Sequence, residues 1–119
     1  MPISKSNPLF SDKVRFIAES EKDLDKLDGS SLRQVAKAIN KVATNPAPRS
    51  NGGFGKPLRN SKDAALAGFN KIKLKKSGIG VVYRVLERGG EMLVVIISAR
   101  ADGYVYDEAA KRIEKHGLR

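Results

Sequence analysis

The sequence predicts an α+β domain in which a mainly antiparallel four-stranded sheet packs against an N-terminal helical hairpin, followed by a short C-terminal helix. Three patterns predict this fold. Apolar residues recur with a helical period between residues 32 and 43, and with period two between residues 69 and 74. Glycine-containing turns then separate further apolar runs, as in consecutive hairpins. The 119 residues suit one domain, which we place at residues 13–119.

The first elements are a tail, a strand and a short helix. Residues 1–12 carry two prolines and no periodic pattern, which predicts a flexible N-terminal tail. Three of the four residues from Val14 to Ile17 are β-branched or aromatic, which favours a strand. The charged segment from Glu19 to Leu27 predicts a helix that Gly29 closes.

The second helix has the strongest period. Its apolar residues fall on one face: Leu32, Val35, Ala36, Ile39, Val42 and Ala43. Ser30 or Ser31 is the expected N-cap, and Asn45-Pro46 ends the helix. Residues 45–63 are rich in Pro, Gly, Asn and Ser. They predict a long connection of the kind that a compact domain keeps for function or disorder.

Three strands and a helix complete the chain. Phe69 to Leu74 alternates so that Lys71 and Lys73 share one face of a strand. The turn at Ser77-Gly78 leads to a strand over residues 81–85, and Gly89-Gly90 leads to an apolar central strand over residues 92–97. Acids open and bases close the last predicted helix, over residues 106–113, before Gly117.

Composition excludes several classes of site. The chain has no cysteine, so it has no disulfide, no thiolate nucleophile and no Cys-ligated metal. Its only histidine, His116, rules out a paired-histidine nuclease, and we assign that residue no role. No apolar run approaches the ~20 residues that span a bilayer, and the first residues lack the apolar core of a signal peptide. We therefore expect a soluble, cytoplasmic protein.

Positive charge is concentrated in one segment. Residues 49–76 carry eight basic side chains against Asp63 alone, which accounts for +7 of the formal net charge of +10. Such a focused field favours a polyanionic partner, since each phosphate that is neutralised releases counterions. A solubilising face or a docking surface for an acidic protein would have the same charge pattern.

The order of the motifs resembles the RelE/ParE superfamily of bacterial toxins, over about residues 13–115. The resemblance rests on the lysine strand and its turn at residues 70–78, the strand at residues 82–85, Arg100, and the segment at residues 105–112. It extends to residues 22–27 and 55–58. The lysine strand together with Tyr106 indicates the RelE branch, and with it a RelE-like fold.

The resemblance implies the toxin of a type II toxin–antitoxin system. Such toxins cleave mRNA in the ribosomal A site by attack of the 2′-OH, without a metal or other cofactor. Lys71, Lys73, Arg100 and Tyr106 match the catalytic positions of the family. The implied partners are an acidic antitoxin, the ribosome and mRNA, with operator DNA bound only through the antitoxin complex.

Each of these residue types is suited to a step of RNA cleavage. Lys71 and Lys73 would lie about 7 Å apart along a strand and could hold one phosphate, and crowding favours loss of a proton from one of them. Arg100 could bind phosphate oxygens as they gain charge, and Tyr106 could stack on a base or bond the 2′-OH. Neighbouring Tyr104 could share that role. On the residues alone, a solvated lysine face, a surface Arg100 paired with Asp102 or Glu108, and a packing role for Tyr106 remain open.

Further basic residues extend the predicted contact with RNA and the ribosome: Lys56, Arg59, Lys75, Lys76 and Arg84. One position departs from the family, because Gly80 stands where an arginine of the catalytic set is usual. This departure predicts attenuated activity, with Arg84 replacing part of the missing charge. Two other functions stay open: a ParE-like gyrase poison, and a catalytically inactive module that binds the antitoxin and co-represses the operon.

Overall fold

The computed structural model describes residues 8–58 and 66–118. In these residues three helices and five strands follow one another along the chain. Their bounds are β1 (Val14–Phe16), α1 (Ala18–Asp25), α2 (Gly29–Ala43), β2 (Lys56–Pro57), β3 (Asn70–Leu74), β4 (Ile79–Val85), β5 (Met92–Ser98) and α3 (Asp102–His116). The predicted α+β class is confirmed.

The strands form one mixed sheet in the order β1-β5-β4-β3-β2. β1 runs parallel to β5, and the other neighbours are antiparallel. The predicted count of four strands is too low by one. The additional strand is β2, whose two residues, Lys56 and Pro57, are too few to show a period-two pattern.

Helices cover both faces of the sheet. α1 and α2 pack on one face, where apolar side chains of α2 meet those of the central strands: Val35, Ile39, Val81, Tyr83 and Val94. α3 packs on the other face through a stripe of side chains at helical spacing: Val105, Ala109 and Ile113. We call this second surface the α3 face.

A β-bulge in β5 places two consecutive apolar side chains on the same face of the sheet. Val82 pairs with Ile96 and Tyr83 with Val94, so that Val95 is an extra residue in β5. Val95 and Ile96 therefore both face α3, whereas Val94 and Ile97 face the helical hairpin. Because β5 is apolar at every position, it supplies the core on both faces before and after the bulge.

Two helix starts differ from the predictions. The N-cap of α2 is Asp28, whose Oδ1 accepts from the Ser31 N–H at 2.7 Å, so Gly29 opens α2 instead of closing α1. α3 begins at Asp102, four residues before the predicted start, and its 15 residues make it longer than the short helix expected. The pattern of acids and bases that predicted the helix begins only at residues 106–108. None of the helices in the described ranges is both long and apolar enough to cross a membrane.

Along part of β5, polar side chains form the backbone hydrogen bonds that a neighbouring strand would otherwise form. β1 pairs only with residues 92–94, so the next backbone groups of β5 bond to helices. Ser20 Oγ donates to the Val94 carbonyl at 2.8 Å, and Asp23 Oδ2 accepts from the Ile97 N–H at 3.0 Å. Arg112 Nη1 donates to the Val95 carbonyl at 3.0 Å and to Asp23 Oδ2 at 2.7 Å. This buried ion pair connects α1, β5 and α3.

The described end of the predicted tail contacts the domain. Phe10 is buried and packs edge-to-face on Phe16, with ring centroids 5.0 Å apart. The Ser11 N–H donates to Asn40 Oδ1 of α2 at 2.8 Å. Residues 1–7 of the tail lie outside the described residues. Phe10, which lies in the segment predicted as a tail, is therefore part of the hydrophobic core.

The first part of the long connection is a hydrogen-bonded loop. The Phe54 N–H donates to the Asn45 carbonyl at 3.0 Å, and the Gly55 N–H donates to the Ala47 carbonyl at 2.9 Å. Tyr83, fully buried in β4, donates its hydroxyl to the Pro46 carbonyl at 2.9 Å. Burial raises the pKa of Tyr83 to about 12, so this hydroxyl remains a donor at neutral pH. These bonds fix the loop immediately before β2.

Glu19 connects the start of α1 to the end of α3. Its carboxylate lies 2.9 Å from His116 Nε2 and 3.1 Å from Lys115 Nζ. Burial would raise the pKa of Glu19, but the hydrogen bonds from Lys115 and His116 outweigh it and lower the pKa from 4.5 to about 2. A carboxylate with a lowered pKa in the folded state stabilises the fold above its unfolded pKa and loses that contribution as the pH falls.

We therefore expect wild-type protein to lose stability more steeply than Glu19→Gln as the pH falls from about 4.5 to about 2. Urea unfolding at a series of pH values measures this difference. Glu87→Gln is the matched control, because Glu87 is exposed in the turn after β4. Parallel pH profiles for wild type and Glu19→Gln would contradict the assignment.

Candidate functional site

Strand pairing brings the lysines of β3 to the α3 face. Lys71 is the cross-strand partner of Lys56 in β2 and of Val82 in β4. Lys73 is the partner of Gly80, which in turn pairs with Ser98. Directly paired residues point to the same face of a sheet, and Val82 packs against α3. The predicted period-two placement of Lys71 and Lys73 on one face is confirmed.

These side chains border a small open depression between β3, β4 and the first turns of α3. It has a volume of about 40 Å³, and its polar lining comes from Lys71, Lys73, Asp102 and Tyr106. Gly80, Val82 and Val105 form its floor and wall, together with backbone of the central strands. The structure thus brings together three of the four predicted catalytic residues, Lys71, Lys73 and Tyr106.

Lys71 and Tyr106 contact each other. Lys71 Nζ lies 3.4 Å from the Tyr106 hydroxyl and 5.9 Å from the centre of its ring. Tyr106 is half-buried at the second turn of α3, whose stripe residue Val105 anchors the helix to the sheet. Packing of α3 therefore positions the phenol beside an ammonium group, an arrangement suited to exchange of a proton or to shared contact with one ligand.

Lys73 forms an ion pair with Asp102, a residue that the sequence did not indicate as part of the site. Lys73 Nζ lies 2.8 Å from Asp102 Oδ1 and also 3.4 Å from the Gly78 carbonyl. Asp102 is the first residue of α3, where an acidic side chain also suits the helix dipole. It precedes the segment over which a helix was predicted, and its contact with Lys73 joins positions 29 residues apart.

Arg100 lies beside the depression and does not line it. The Arg100 guanidinium stacks on the exposed ring of Tyr104, 4.2 Å from the ring centre, and the Arg100 backbone N–H donates to Ser98 Oγ at 3.1 Å. The two acids suggested as its surface partners are occupied elsewhere, since Asp102 pairs with Lys73 and Glu108 with Arg112. The Arg100–Tyr104 stack presents a cationic, flat surface next to the site.

Gly80, the second residue of β4, lines the depression as the cross-strand partner of Lys73. A Cβ atom built on Gly80 would lie 3.8 Å from Val105 Cγ1 and 4.0 Å from the Ser98 carbonyl oxygen, both ordinary contact distances. Its backbone φ is not positive, so the position does not require glycine for conformational reasons. A larger side chain here would extend into the depression between Lys73 and α3.

The remaining predicted binding residues are dispersed. Lys56 is half-buried beside Lys71, whereas Lys75 and Lys76 are exposed in the turn after β3. Arg59 lies outside the described residues. Arg84 is four residues along β4 from Gly80, about 13 Å away. It donates to the Leu118 carbonyl and lies over the Phe69 ring, so it does not supply the charge absent at Gly80.

Curated proteins similar to this chain are toxins. A protein of Escherichia coli named as a RelE-like toxin protein is 33% identical over 101 residues, which cover 85% of this chain and 96% of the relative. The mRNA interferase toxin RelE of Escherichia coli strain K12 is 32% identical over 92 residues, which cover 77% of this chain and 86% of that toxin. No family model matches the sequence.

Solved structures share the fold. A doubly substituted variant of the E. coli toxin RelE in the free state superposes with a TM-score of 0.63 at 30% identity, over 84% of this chain and 95% of that one. The same variant in complex with an antitoxin RelB peptide gives a TM-score of 0.58 at 27% identity, over 81% and 90% of the two chains. On the strength of these identities over most of both sequences, the chain belongs to the RelE family of toxins.

Proposed function

We propose that this chain is the toxin of a type II toxin–antitoxin pair and that it cleaves mRNA in the ribosomal A site. The observation that carries this proposal is the depression in which Lys71, Lys73 and Tyr106 meet on one sheet face. A relative that is 32% identical is named an mRNA interferase, which supports RNA as the substrate. The basic segment at residues 49–76 supports a polyanionic ligand.

The reaction that we propose is attack of a ribose 2′-OH on the adjacent phosphorus. The 2′-oxygen loses its proton and forms a bond to phosphorus, while the bond to the 5′-oxygen breaks and that oxygen gains a proton. Lys71 as the uncharged amine accepts the proton of the 2′-OH and becomes an ammonium, and Tyr106, whose hydroxyl lies 3.4 Å away, passes a proton from that ammonium to the 5′-oxygen. Lys73 and Arg100 stabilise the negative charge that develops on the phosphate oxygens.

The histidine takes no part in this scheme. His116 is at the far end of α3 from Asp102, about 20 Å along the helix, and is bonded to Glu19. We therefore assign the acid–base steps to Lys71 and Tyr106. The Arg100–Tyr104 stack is the proposed platform for a base of the codon, because aromatic rings and guanidinium planes both stack on bases.

The proposed inhibitor is an acidic antitoxin. One solved structure that shares this fold is a complex of RelE with an antitoxin peptide, which supports such a partner. An acidic chain would complement the basic α3 face and mask Lys71 and Lys73. Gly80 favours one second function, a module that binds antitoxin and represses its operon without cleaving RNA, since the position paired with Lys73 carries no cationic side chain.

We expect Gly80→Arg to cleave about 10- to 100-fold faster than the wild-type chain, because it adds a charge where phosphate oxygens become more negative. The assay uses purified ribosomes paused on a defined mRNA, with cleavage mapped by primer extension. Gly80→Ala is the matched control. It adds a Cβ in a position with room for it, and should leave the cleavage rate unchanged.

Equal rates for Gly80→Arg and wild type would contradict attenuation at this position. Cleavage by Gly80→Arg alone would identify the wild-type chain as a binding module with an otherwise intact site. Tight antitoxin binding with no cleavage by either protein would favour the repressor function and contradict the nuclease.

A further inference from the structure

The Asp102 carboxylate occupies the position on Lys73 that a phosphate would need. Its Oδ1 is 2.8 Å from Lys73 Nζ, and both side chains line the same depression. A carboxylate and a phosphodiester present the same kind of anionic oxygen to an ammonium group. Lys71 differs in this respect, since its contact in the depression is the hydroxyl of Tyr106 and not a carboxylate.

The ion pair is exchangeable. The Lys73 side chain is 37% exposed and that of Asp102 is 54% exposed, so water and ions reach both groups. Exposed ion pairs of this kind are weak and are screened by salt. A phosphate that enters the depression can displace Asp102 from Lys73, but it must also approach a carboxylate of like charge.

We propose that Asp102 is an internal competitor for the phosphate position on Lys73 and thereby limits how tightly this chain binds RNA. The proposal rests on the proposed function in taking RNA as the polyanion, but it concerns affinity and not the chemical step. A helix-start role for Asp102 needs no contact with Lys73. The two roles therefore predict different responses to a change at Lys73.

The test is fluorescence anisotropy with a labelled single-stranded RNA oligonucleotide of about ten nucleotides and the full chain, without ribosomes. We expect Asp102→Asn to bind about three- to tenfold tighter than wild type. The slope of log Kd against log salt concentration should steepen by about 0.7, the value for one additional phosphate contact on a single strand. Asp107→Asn, an exposed site on the same helix, removes the same charge and should change Kd less than twofold.

The decisive comparison is made in a chain that already carries Lys73→Met. In this chain, adding Asp102→Asn should leave Kd unchanged within about twofold, because the ammonium group for which Asp102 and phosphate compete is absent. Equal tightening by Asp102→Asn and Asp107→Asn, or tightening that persists with Lys73→Met, would overturn the proposal. So would a lower Tm for Asp102→Asn with no gain in affinity, the result expected of a helix-start role alone.

The RNA-binding experiment can contradict the competitor proposal without contradicting the nuclease function, and the cleavage experiment can do the reverse. If no variant cleaves mRNA on the ribosome but Asp102→Asn binds RNA more tightly through Lys73, the competitor proposal stands and the nuclease function falls. If cleavage occurs and the Kd values of wild type and Asp102→Asn agree, the nuclease stands and the competitor proposal falls.

Discussion

Replacing either Lys71 or Lys73 with methionine should slow mRNA cleavage on the order of 100-fold or more. Each ammonium group borders the depression, and each has a defined neighbour, Tyr106 for Lys71 and Asp102 for Lys73. Methionine keeps most of the apolar stem and removes the charge, so the strand should keep its packing. Single-turnover cleavage of a ribosome-bound mRNA gives the rates, and Gly80→Arg serves as the parent if the wild-type rate is too low to follow.

The matched control is Lys37→Met. Lys37 is exposed on α2, which covers the opposite face of the sheet, so this variant changes the net charge equally at a distance from the site. Its rate should stay within about threefold of the parent. A Lys71→Met or Lys73→Met rate equal to that of Lys37→Met would show that the lysines act only through overall charge.

Replacing Asp23 with alanine should lower the free energy of unfolding by about 3–5 kcal/mol. Arg112 would keep its buried charge without its main partner, and the Ile97 N–H would lose its acceptor. Burial alone would lower the pKa of Arg112, but the bonds to Asp23 and Glu108 outweigh it and raise the pKa, so the guanidinium stays charged. The loss is a large part of the ~5–15 kcal/mol that stabilises a typical domain.

Urea denaturation measures this effect, with Asp25→Ala as the control. Asp25 is exposed on the same helix, and its removal should cost less than about 0.5 kcal/mol. The double variant Asp23→Leu/Arg112→Met should be more stable than either single variant, because it removes both charges from the interior. A double variant that is as unstable as the sum of its single variants would contradict the account of a coupled buried pair.

Local patterns in the sequence predicted much of the fold and part of the site. The alternation of Lys71, Ile72 and Lys73 directly predicted which face of β3 carries charge, and strand pairing confirms it. The helical stripe of α2 likewise predicted its buried face, with Val35 and Ile39 fully buried. In both cases the period of a single element determines which side chains are exposed, and that period is visible in a short segment.

What the sequence did not reveal depends on contacts between distant segments. Asp23 and Arg112 are separated by 89 positions, and Lys73 and Asp102 by 29. No local period relates such residues, and the parallel pairing of β1 with β5 is of the same kind. Asp102 also precedes residues 106–113, the segment over which the last helix was predicted.

Gly80 and Asp102 affect the depression in the same direction. Gly80 contributes no side chain to the depression at the position paired with Lys73, and Asp102 partly neutralises Lys73. Both reduce the positive charge available to a phosphate. The two positions flank Lys73, so their effects should not add independently, and a Gly80→Arg/Asp102→Asn chain would measure their coupling.

The central claim, that this sheet face cuts RNA through its own 2′-OH, is tested most directly by a single 2′-deoxy nucleotide. Two mRNAs are compared on paused ribosomes, one with ribose throughout and one with 2′-deoxyribose at the nucleotide 5′ to the cut. The wild-type chain or Gly80→Arg should cut the first, leaving a 2′,3′-cyclic phosphate and a 5′-OH, and should leave the second intact at that position. Cleavage of both mRNAs would contradict the account. So would a result in which neither protein cleaves either mRNA.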